Sequence, residues 1–86
     1  MLRIEVQPRA QKELLRIPKQ IRLKIIKQID ELGEVNHPLQ YRRVKKLRGR
    51  KFEEYRLRVG DYRVKFIFVK PNIIKITRFQ HRQVGY

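Results

Sequence analysis

The sequence contains no cysteine and no serine, and Thr77 is its only threonine. Without cysteine it can form no disulfide, no thiolate zinc site and no thiol nucleophile. Without serine, hydroxyl-nucleophile catalysis of the serine-protease kind is excluded as well. The lack of cysteine also fits a reducing compartment, and we expect a cytoplasmic protein. With 86 residues, residues 1–86 should form a single domain that depends on its own hydrophobic core.

Acidic residues are scarce, with 8 Asp and Glu against 23 Lys and Arg, and the net charge is +15. So much positive charge on a small domain indicates a polyanionic partner. No apolar run approaches the length that spans a bilayer, and no signal-like segment opens the sequence. We therefore expect nucleic acid and an acidic protein as partners, and no membrane. The scattered carboxylates and two histidines form no recognisable metal motif, so we expect no cofactor and a metal-independent reaction.

The central feature of the sequence is a tight hairpin around Gly60-Asp61. Two alternating runs flank this dipeptide, whose glycine suits the first central position of a type II′ turn. In that register Val59 faces Tyr62, and one face of the ribbon is apolar. The other face carries four cations paired across the strands: Arg58 with Arg63, and Arg56 with Lys65. Like charges directly opposite each other repel, and an anionic ligand would relieve that cost. The alternative is a solvated outer face that only keeps the protein soluble.

Apolar periodicity predicts the remaining elements. They are a strand over residues 2–6, helices over 8–17 and 19–32 separated by Pro18 and ending at Gly33, an irregular connection over 34–43, and strands over 44–49, 55–59, 62–69 and 73–79. The predicted fold class is α+β, an antiparallel sheet of about four to five strands with a helical hairpin packed on one face, in the order β-α-α-β-β-β-β. The other face of the sheet stays open. Basic residues on the second helix are interpreted mainly as its solvated side, and His37 as incidental.

Three segments together resemble the RelE/ParE toxin family, on its RelE side. They are Lys46-Leu47-Arg48-Gly49, Tyr55-Arg56-Leu57-Arg58-Val59-Gly60-Asp61-Tyr62-Arg63 and His81-Arg82-Gln83-Val84-Gly85-Tyr86. The resemblance extends over almost the whole chain. It implies a ribosome-dependent endoribonuclease that cuts mRNA in the decoding site. It also implies inhibition by a cognate acidic antitoxin within a toxin–antitoxin hetero-oligomer.

The resemblance also implies which residues act. Family members use basic residues on the hairpin strands, an arginine near the C-terminus and a tyrosine just beyond it, which correspond here to Arg56, Arg58, Arg63, Arg82 and Tyr86. Further RNA-binding candidates are Lys45, Lys46, Arg48, Lys65 and Arg78. Some relatives carry lysines where this chain has arginines on the first hairpin strand, and arginine stays protonated, so it can stabilise charge but cannot act as a general base. Because Tyr86 stands at the end of the sequence, where relatives often continue, we expect it to be ordered only when RNA or the ribosome is present.

Metal-free RNA cleavage requires a base for the 2′-hydroxyl, cations for the phosphorane and an acid for the leaving 5′-oxygen. The cations are abundant. His81 has a suitable pKa for acid or base, and Tyr86 offers a phenol whose pKa neighbouring arginines would lower. The sequence leaves the choice between them open. Glu54 shares the strand phase of Arg56 and Arg58 and is a further candidate for the base, but it is interpreted mainly as a partner whose negative charge reduces their mutual repulsion.

Two alternative functions remain. The ParE branch shares the fold without the cleaving residues and inhibits gyrase, although His81-Arg82 followed by Tyr86 favours the RelE-like function. A non-catalytic RNA-binding module would use aromatic residues such as Tyr41 or Phe52 as stacking platforms.

Overall fold

The structure, a computed structural model, describes residues 1–47 and 54–82 and contains one mixed sheet with two helices. The elements are β1 (Arg3–Val6), α1 (Pro8–Leu15), α2 (Lys19–Leu32), a short 3-10 helix (Pro38–Gln40), β2 (Val44–Lys46), β3 (Glu54–Val59), β4 (Tyr62–Val69) and β5 (Ile73–His81). The strand order across the sheet is β1-β5-β4-β3-β2. The predicted α+β class and element order are confirmed.

The first strand departs from the predicted antiparallel arrangement. Strands β2 to β5 are antiparallel to their neighbours, whereas β1 pairs with β5 in parallel. Backbone hydrogen bonds bracket this pairing, from Arg3 N–H to Asn72 O at 2.7 Å and from Gln7 N–H to Ile76 O at 3.0 Å. Strand β1 lies at one edge of the sheet, beside β5, and the two helices carry the chain from there to β2 at the opposite edge. An alternating run fixes which side of a strand is buried but not its direction, so the sequence alone could not decide this pairing.

The central hairpin has the predicted register. Val59 faces Tyr62, Arg58 faces Arg63 and Arg56 faces Lys65. Gly60 has a φ of 56°, and no residue other than glycine among those described has a positive φ. Positive φ at the first central position alone is the pattern of a type II′ turn. Glycine is needed here because this backbone region disfavours other L-residues.

A bulge in β5 determines which side chains of this last strand are buried. Phe66 pairs with Ile76 and Lys65 with Arg78, which leaves Thr77 as an extra residue on β5. The Thr77 hydroxyl donates to the Lys65 carbonyl at 3.2 Å and holds the bulge in place. Because the extra residue shifts the alternation by one, Ile74, Ile76 and Phe79 can all point into the core.

The core lies between the sheet and α2. Its largest fully buried side chains include Tyr55, Phe66, Ile25, Leu32 and Leu57, and the rings of Tyr55 and Phe66 stack with centroids 5.6 Å apart. His37 belongs to this structural framework. Its Nδ1 accepts a hydrogen bond from Leu39 N–H at 3.1 Å, and its ring lies edge-on to Phe68 at 5.0 Å. His37 therefore caps the start of the 3-10 helix and packs it against the core.

The observed ends of the elements correct several predicted ones. Helix α1 ends at Leu15 and not at residue 17, because residues directly before a proline avoid the helical conformation. Ile17 is nevertheless buried in the core. The strand β5 continues to His81, two residues beyond the predicted end, and β2 is described over Val44–Lys46, while residues 48–53 lie outside the described part.

Gly33 follows α2 as predicted, but with a right-handed φ of −65°. Its role is therefore spatial. A Cβ there would lie 3.3 Å from the Asp30 carbonyl oxygen and 3.5 Å from the Leu2 carbonyl oxygen. The backbone of Leu2 comes this close because its N–H donates a hydrogen bond to the Gly33 carbonyl. Glycine thus allows the end of α2 to approach the start of β1. Within the described residues, no helix combines the length and apolarity that a membrane span requires.

Candidate functional site

The open face of the sheet carries a row of cations that crosses four strands. Lys45 of β2 pairs with Arg56 of β3, Arg56 with Lys65 of β4, and Lys65 with Arg78 of β5. Strand alternation places these side chains on the side opposite the buried Leu57 and its neighbours. A polyanion lying along this row would meet one positive charge on each of β2, β3 and β4.

A second row lies nearer the hairpin turn. Arg58 pairs with Arg63, and Arg63 pairs with Gln80 of β5. Arg82 follows at the end of β5, where its backbone N–H donates to the Asp61 carbonyl at 2.8 Å. This bond fixes the start of the C-terminal segment beside the β3–β4 turn, at the end of the sheet where Arg58 and Arg63 lie.

A cavity with a volume of about 250 Å³ opens at one side of these rows. Its described lining consists of Arg42, Arg43, Lys45, Arg56, Arg58 and Gly60. Five of these six residues are cations and none is acidic, so the cavity suits a phosphate group. Sequence reasoning missed Arg42 and Arg43. Their signal was the pair of adjacent arginines immediately before the buried Val44, which a reading of 34–43 as a plain connection overlooked.

Arg78, by contrast, is engaged within the protein. Its Nε donates to both carboxylate oxygens of Glu13, at 2.9 and 3.2 Å. Glu13 Oε1 also accepts the backbone N–H of Phe79 at 2.9 Å. Both ionic side chains are largely shielded from solvent. Glu13 therefore ties α1 to the segment of β5 that leads to His81 and Arg82.

His81 lies on the other side of the sheet from the arginine rows. It pairs with Tyr62, and the two rings meet edge-on at 5.0 Å. Both line a cavity of about 280 Å³ together with Ile21 and Lys24 of α2. The structure thus brings together Lys45, Arg56, Arg58, Arg63 and Lys65, but it does not bring His81 to the same face.

The remaining predicted residues have the following positions. Lys46 pairs with the buried Tyr55, so its Cβ is directed to the helix side of the sheet. Arg48, Phe52 and Tyr86 lie outside the described residues. Within residues 1–47 and 54–82, no group of three or more His, Asp or Glu side chains is arranged to hold a metal ion.

The Tyr41 side chain makes contacts within the protein. Its ring packs against the core, and its hydroxyl donates to Glu31 Oε1 at 2.6 Å. Desolvation, followed by the hydrogen bond and charge of Glu31, raises the pKa of Tyr41 to about 12 despite the nearby Arg42 and Arg43. A ring held in this way is poorly placed to act as a stacking platform for a base.

Comparison with known proteins identifies the family. Residues 4–86 match the family model described as the ParE toxin of the parDE type II toxin–antitoxin system. Among solved structures, the chain is similar to RelE in the archaeal RelE–RelB complex of Pyrococcus horikoshii, with 30% identity, a TM-score of 0.77 and 94% of both chains covered. It is also similar to the RelB–RelE complex of Methanococcus jannaschii, with 29% identity, a TM-score of 0.75 and coverage of 92% of this chain and 91% of that one.

A toxin–antitoxin complex of Mycobacterium tuberculosis shares the fold, with 23% identity, a TM-score of 0.78 and coverage of 94% of this chain and 91% of that one. The comparison with curated proteins finds no match. The family model covers nearly the whole chain, and the resemblance found in the hairpin and C-terminal residues agrees with it. The chain therefore belongs to the RelE/ParE family of toxins of type II toxin–antitoxin systems.

Proposed function

We propose that this toxin is a ribosome-dependent endoribonuclease that cleaves mRNA and so inhibits translation in the cytoplasm. The observation that carries the proposal is the pair of cationic rows on the open face. Arg58 lies opposite Arg63 and Arg56 opposite Lys65, and repulsion between like charges placed directly across a strand pair carries a cost. A bound RNA phosphate would reverse that cost, and the cavity beside Arg56 and Arg58 offers space for it.

The proposed reaction is a transesterification within the RNA. The 2′-oxygen attacks the adjacent phosphorus, its proton passes to a base, and the bond from phosphorus to the 5′-oxygen breaks as an acid protonates that oxygen. The products are a 2′,3′-cyclic phosphate and a 5′-hydroxyl. Arg56, Arg58, Arg63 and Arg82 would stabilise the charge of the phosphorane, since arginine remains protonated and matches phosphate geometry.

Tyr86 is the better candidate for the proton-transfer group. His81 lies against Tyr62 on the helix side of the sheet, whereas the proposed phosphate site is on the open face. Arg82 lies beside the β3–β4 turn, and the four residues that follow can span at most about 14 Å. That reach allows Tyr86 to approach a phosphate held near Arg58, where neighbouring guanidinium groups would lower the pKa of a phenol.

We also propose that an acidic antitoxin binds the chain in a hetero-oligomer. The archaeal relatives were solved as complexes of RelE with RelB, and a net charge of +15 calls for an acidic counterpart. The open face or a sheet edge would receive an antitoxin segment that folds on binding.

Mapping mRNA ends on ribosomes after a pulse of expression tests the proposed activity. We expect new 5′ ends within codons in the decoding site, and none in cells that express the Arg58→Ala variant. A gyrase supercoiling assay run in parallel tests the ParE-like alternative, because the matching family model is that of the ParE toxin. Inhibition of gyrase without new mRNA ends would refute the endoribonuclease assignment.

A further inference from the structure

A second cationic groove lies on the other side of the hairpin turn, between α2 and the segment before β2. Its volume is about 490 Å³. The described lining residues are Lys24, Lys27, Gln28 and Glu31 of α2, with Tyr41, Arg42, Arg43, Val59 and Gly60. We call this the α2 groove. Among the described residues, none of the positions proposed for the cleavage reaction contributes to it.

The charge of the α2 groove favours an anion. Lys24, Lys27, Arg42 and Arg43 provide four cations against a single carboxylate, that of Glu31. Glu31 is itself engaged by the Tyr41 hydroxyl at 2.6 Å. Lysines on the exposed side of a helix are usually just solvated, but here two of them face two arginines across a concave surface. Such a surface concentrates positive potential where a phosphate would lie.

Gln28 provides an independent sign of a ligand. Its Oε1 is buried and has no hydrogen-bond partner among the described residues. A buried acceptor without a donor is costly, and such groups are rare in native proteins. Gln28 also lines the groove, so a turn of its side chain would bring Oε1 to an occupant that offers a hydroxyl or N–H. The groove therefore suits a ligand that combines negative charge with hydrogen-bond donors, which is the chemistry of a ribonucleotide, with its phosphate and 2′-hydroxyl.

The α2 groove adjoins the cavity that Arg56 and Arg58 line on the open face. Arg42, Arg43 and Gly60 line both. At Gly60, no atom beyond its two chain neighbours lies within 4 Å of where a Cβ would be, so the turn leaves room beside both spaces. A strand whose phosphate lies against Arg56 and Arg58 can pass around the turn and keep contact with the same two arginines on the way.

We propose that the α2 groove is a second binding subsite for the RNA strand, in which Lys24 and Lys27 contact a backbone phosphate and the Gln28 side chain turns so that its Oε1 accepts a hydrogen bond from a ribose 2′-hydroxyl. This subsite rests on the proposed function, because it extends the path of the RNA from the open face. It holds the strand at a distance from the cut and contributes affinity.

The test measures binding of a fluorescein-labelled, unstructured 12-nucleotide RNA by fluorescence anisotropy over a series of salt concentrations. The variant Lys24→Gln/Lys27→Gln removes two groove charges. The matched control Arg9→Gln/Lys12→Gln removes two exposed charges from α1 that line neither cavity. Thermal melts of all variants verify folding. For a single strand, losing two phosphate contacts should reduce the slope of log K against log salt by about 1.4, and the control should keep the wild-type slope.

Gln28→Leu tests the hydroxyl contact separately. This variant removes the unpartnered acceptor, so its melting temperature should be equal to or above that of the wild type. Its affinity for the RNA should fall while its affinity for a DNA of the same sequence stays constant. Equal losses for RNA and DNA would refute the ribose contact.

The outcomes separate the subsite from the proposed function. If the wild type binds the RNA with a salt-dependent affinity but the two double variants have equal slopes, the subsite is refuted and the proposed function stands. If the wild type shows no salt-dependent binding of the free RNA, the subsite is refuted, whereas the proposed function is decided by the mapping of mRNA ends on ribosomes. If the groove variant alters binding of the antitoxin and not of the RNA, the groove is a protein-docking surface and the proposal is wrong.

Discussion

Replacing Glu13 with alanine should destabilise the fold and disturb the candidate site together. Glu13 accepts a hydrogen bond from Phe79 N–H at 2.9 Å. It also accepts from Arg78 Nε, at 2.9 Å to Oε2 and 3.2 Å to Oε1. Its removal leaves a partly buried backbone donor without a partner, which costs roughly 1–3 kcal/mol, and it also removes a charge-assisted bond of similar size. Because Arg78 can turn toward solvent, we expect a total loss of about 2–3 kcal/mol in the free energy of unfolding.

For a domain of this size, each kcal/mol corresponds to a shift of about 4–8 °C in melting temperature, so Glu13→Ala should melt roughly 10–20 °C lower. The measurement is a thermal melt followed by circular dichroism. Glu5→Ala is the matched control, because Glu5 also pairs with an arginine, but at 3.5 Å and on an exposed surface. Exposed pairs contribute little, so this control should melt close to the wild type.

Toxicity adds a second measurement to the Glu13 test. The segment that Glu13 anchors continues into His81 and Arg82, so Glu13→Ala should reduce growth inhibition even at temperatures where it is folded. Glu13→Gln keeps an oxygen for Phe79 N–H and should recover part of the lost stability. Equal melting of Glu13→Ala and Glu5→Ala would refute the anchoring role of Glu13.

Three further predictions address other parts of the molecule. Arg58→Ala and Arg63→Ala should each abolish toxicity while the melting temperature barely changes; unfolding of either variant would contradict the placement of these side chains on the open face. Tyr41 has a pKa raised from 10.0 to about 12, so the stability it confers is complete below pH 10 and is lost as pH rises toward 12. In urea unfolding, the free energy of unfolding should therefore decrease less between pH 9 and pH 11 for Tyr41→Phe than for the wild type. Antitoxin affinity, measured by calorimetry, should fall as salt is added, and an affinity that salt leaves unchanged would argue against the electrostatic account.

The hairpin illustrates what could be predicted from sequence. Gly60-Asp61 and two alternating runs determine turn type and register together, so the pairs from Val59–Tyr62 to Arg56–Lys65 followed directly. Local chemistry of this kind is contained within a dozen residues. The same holds for α2, whose observed bounds of Lys19–Leu32 match the apolar period that follows Pro18.

The features that escaped prediction depend on long-range contacts. The parallel pairing of β1 with β5, the bulge at Thr77 and the bond from Glu13 to Phe79 each join segments far apart in sequence. The face on which His81 lies depends on that bulge, because one extra residue reverses the alternation of everything that follows. Arg42 and Arg43 were missed for a related reason, since only the packed fold brings them beside Arg56 and Arg58.

The central claim is that the open face promotes attack by a 2′-hydroxyl. Its most direct test is in vitro cleavage of a ribosome-bound message in which the single ribose at the cut site is replaced by deoxyribose. This change removes the attacking oxygen and leaves nearly every phosphate contact in place. We predict that the message still binds, that cleavage stops, and that the unmodified message yields a 2′,3′-cyclic phosphate end. Cleavage of the deoxy-substituted message at the same position would contradict the mechanism and the roles proposed for Arg56, Arg58, Arg63 and Arg82.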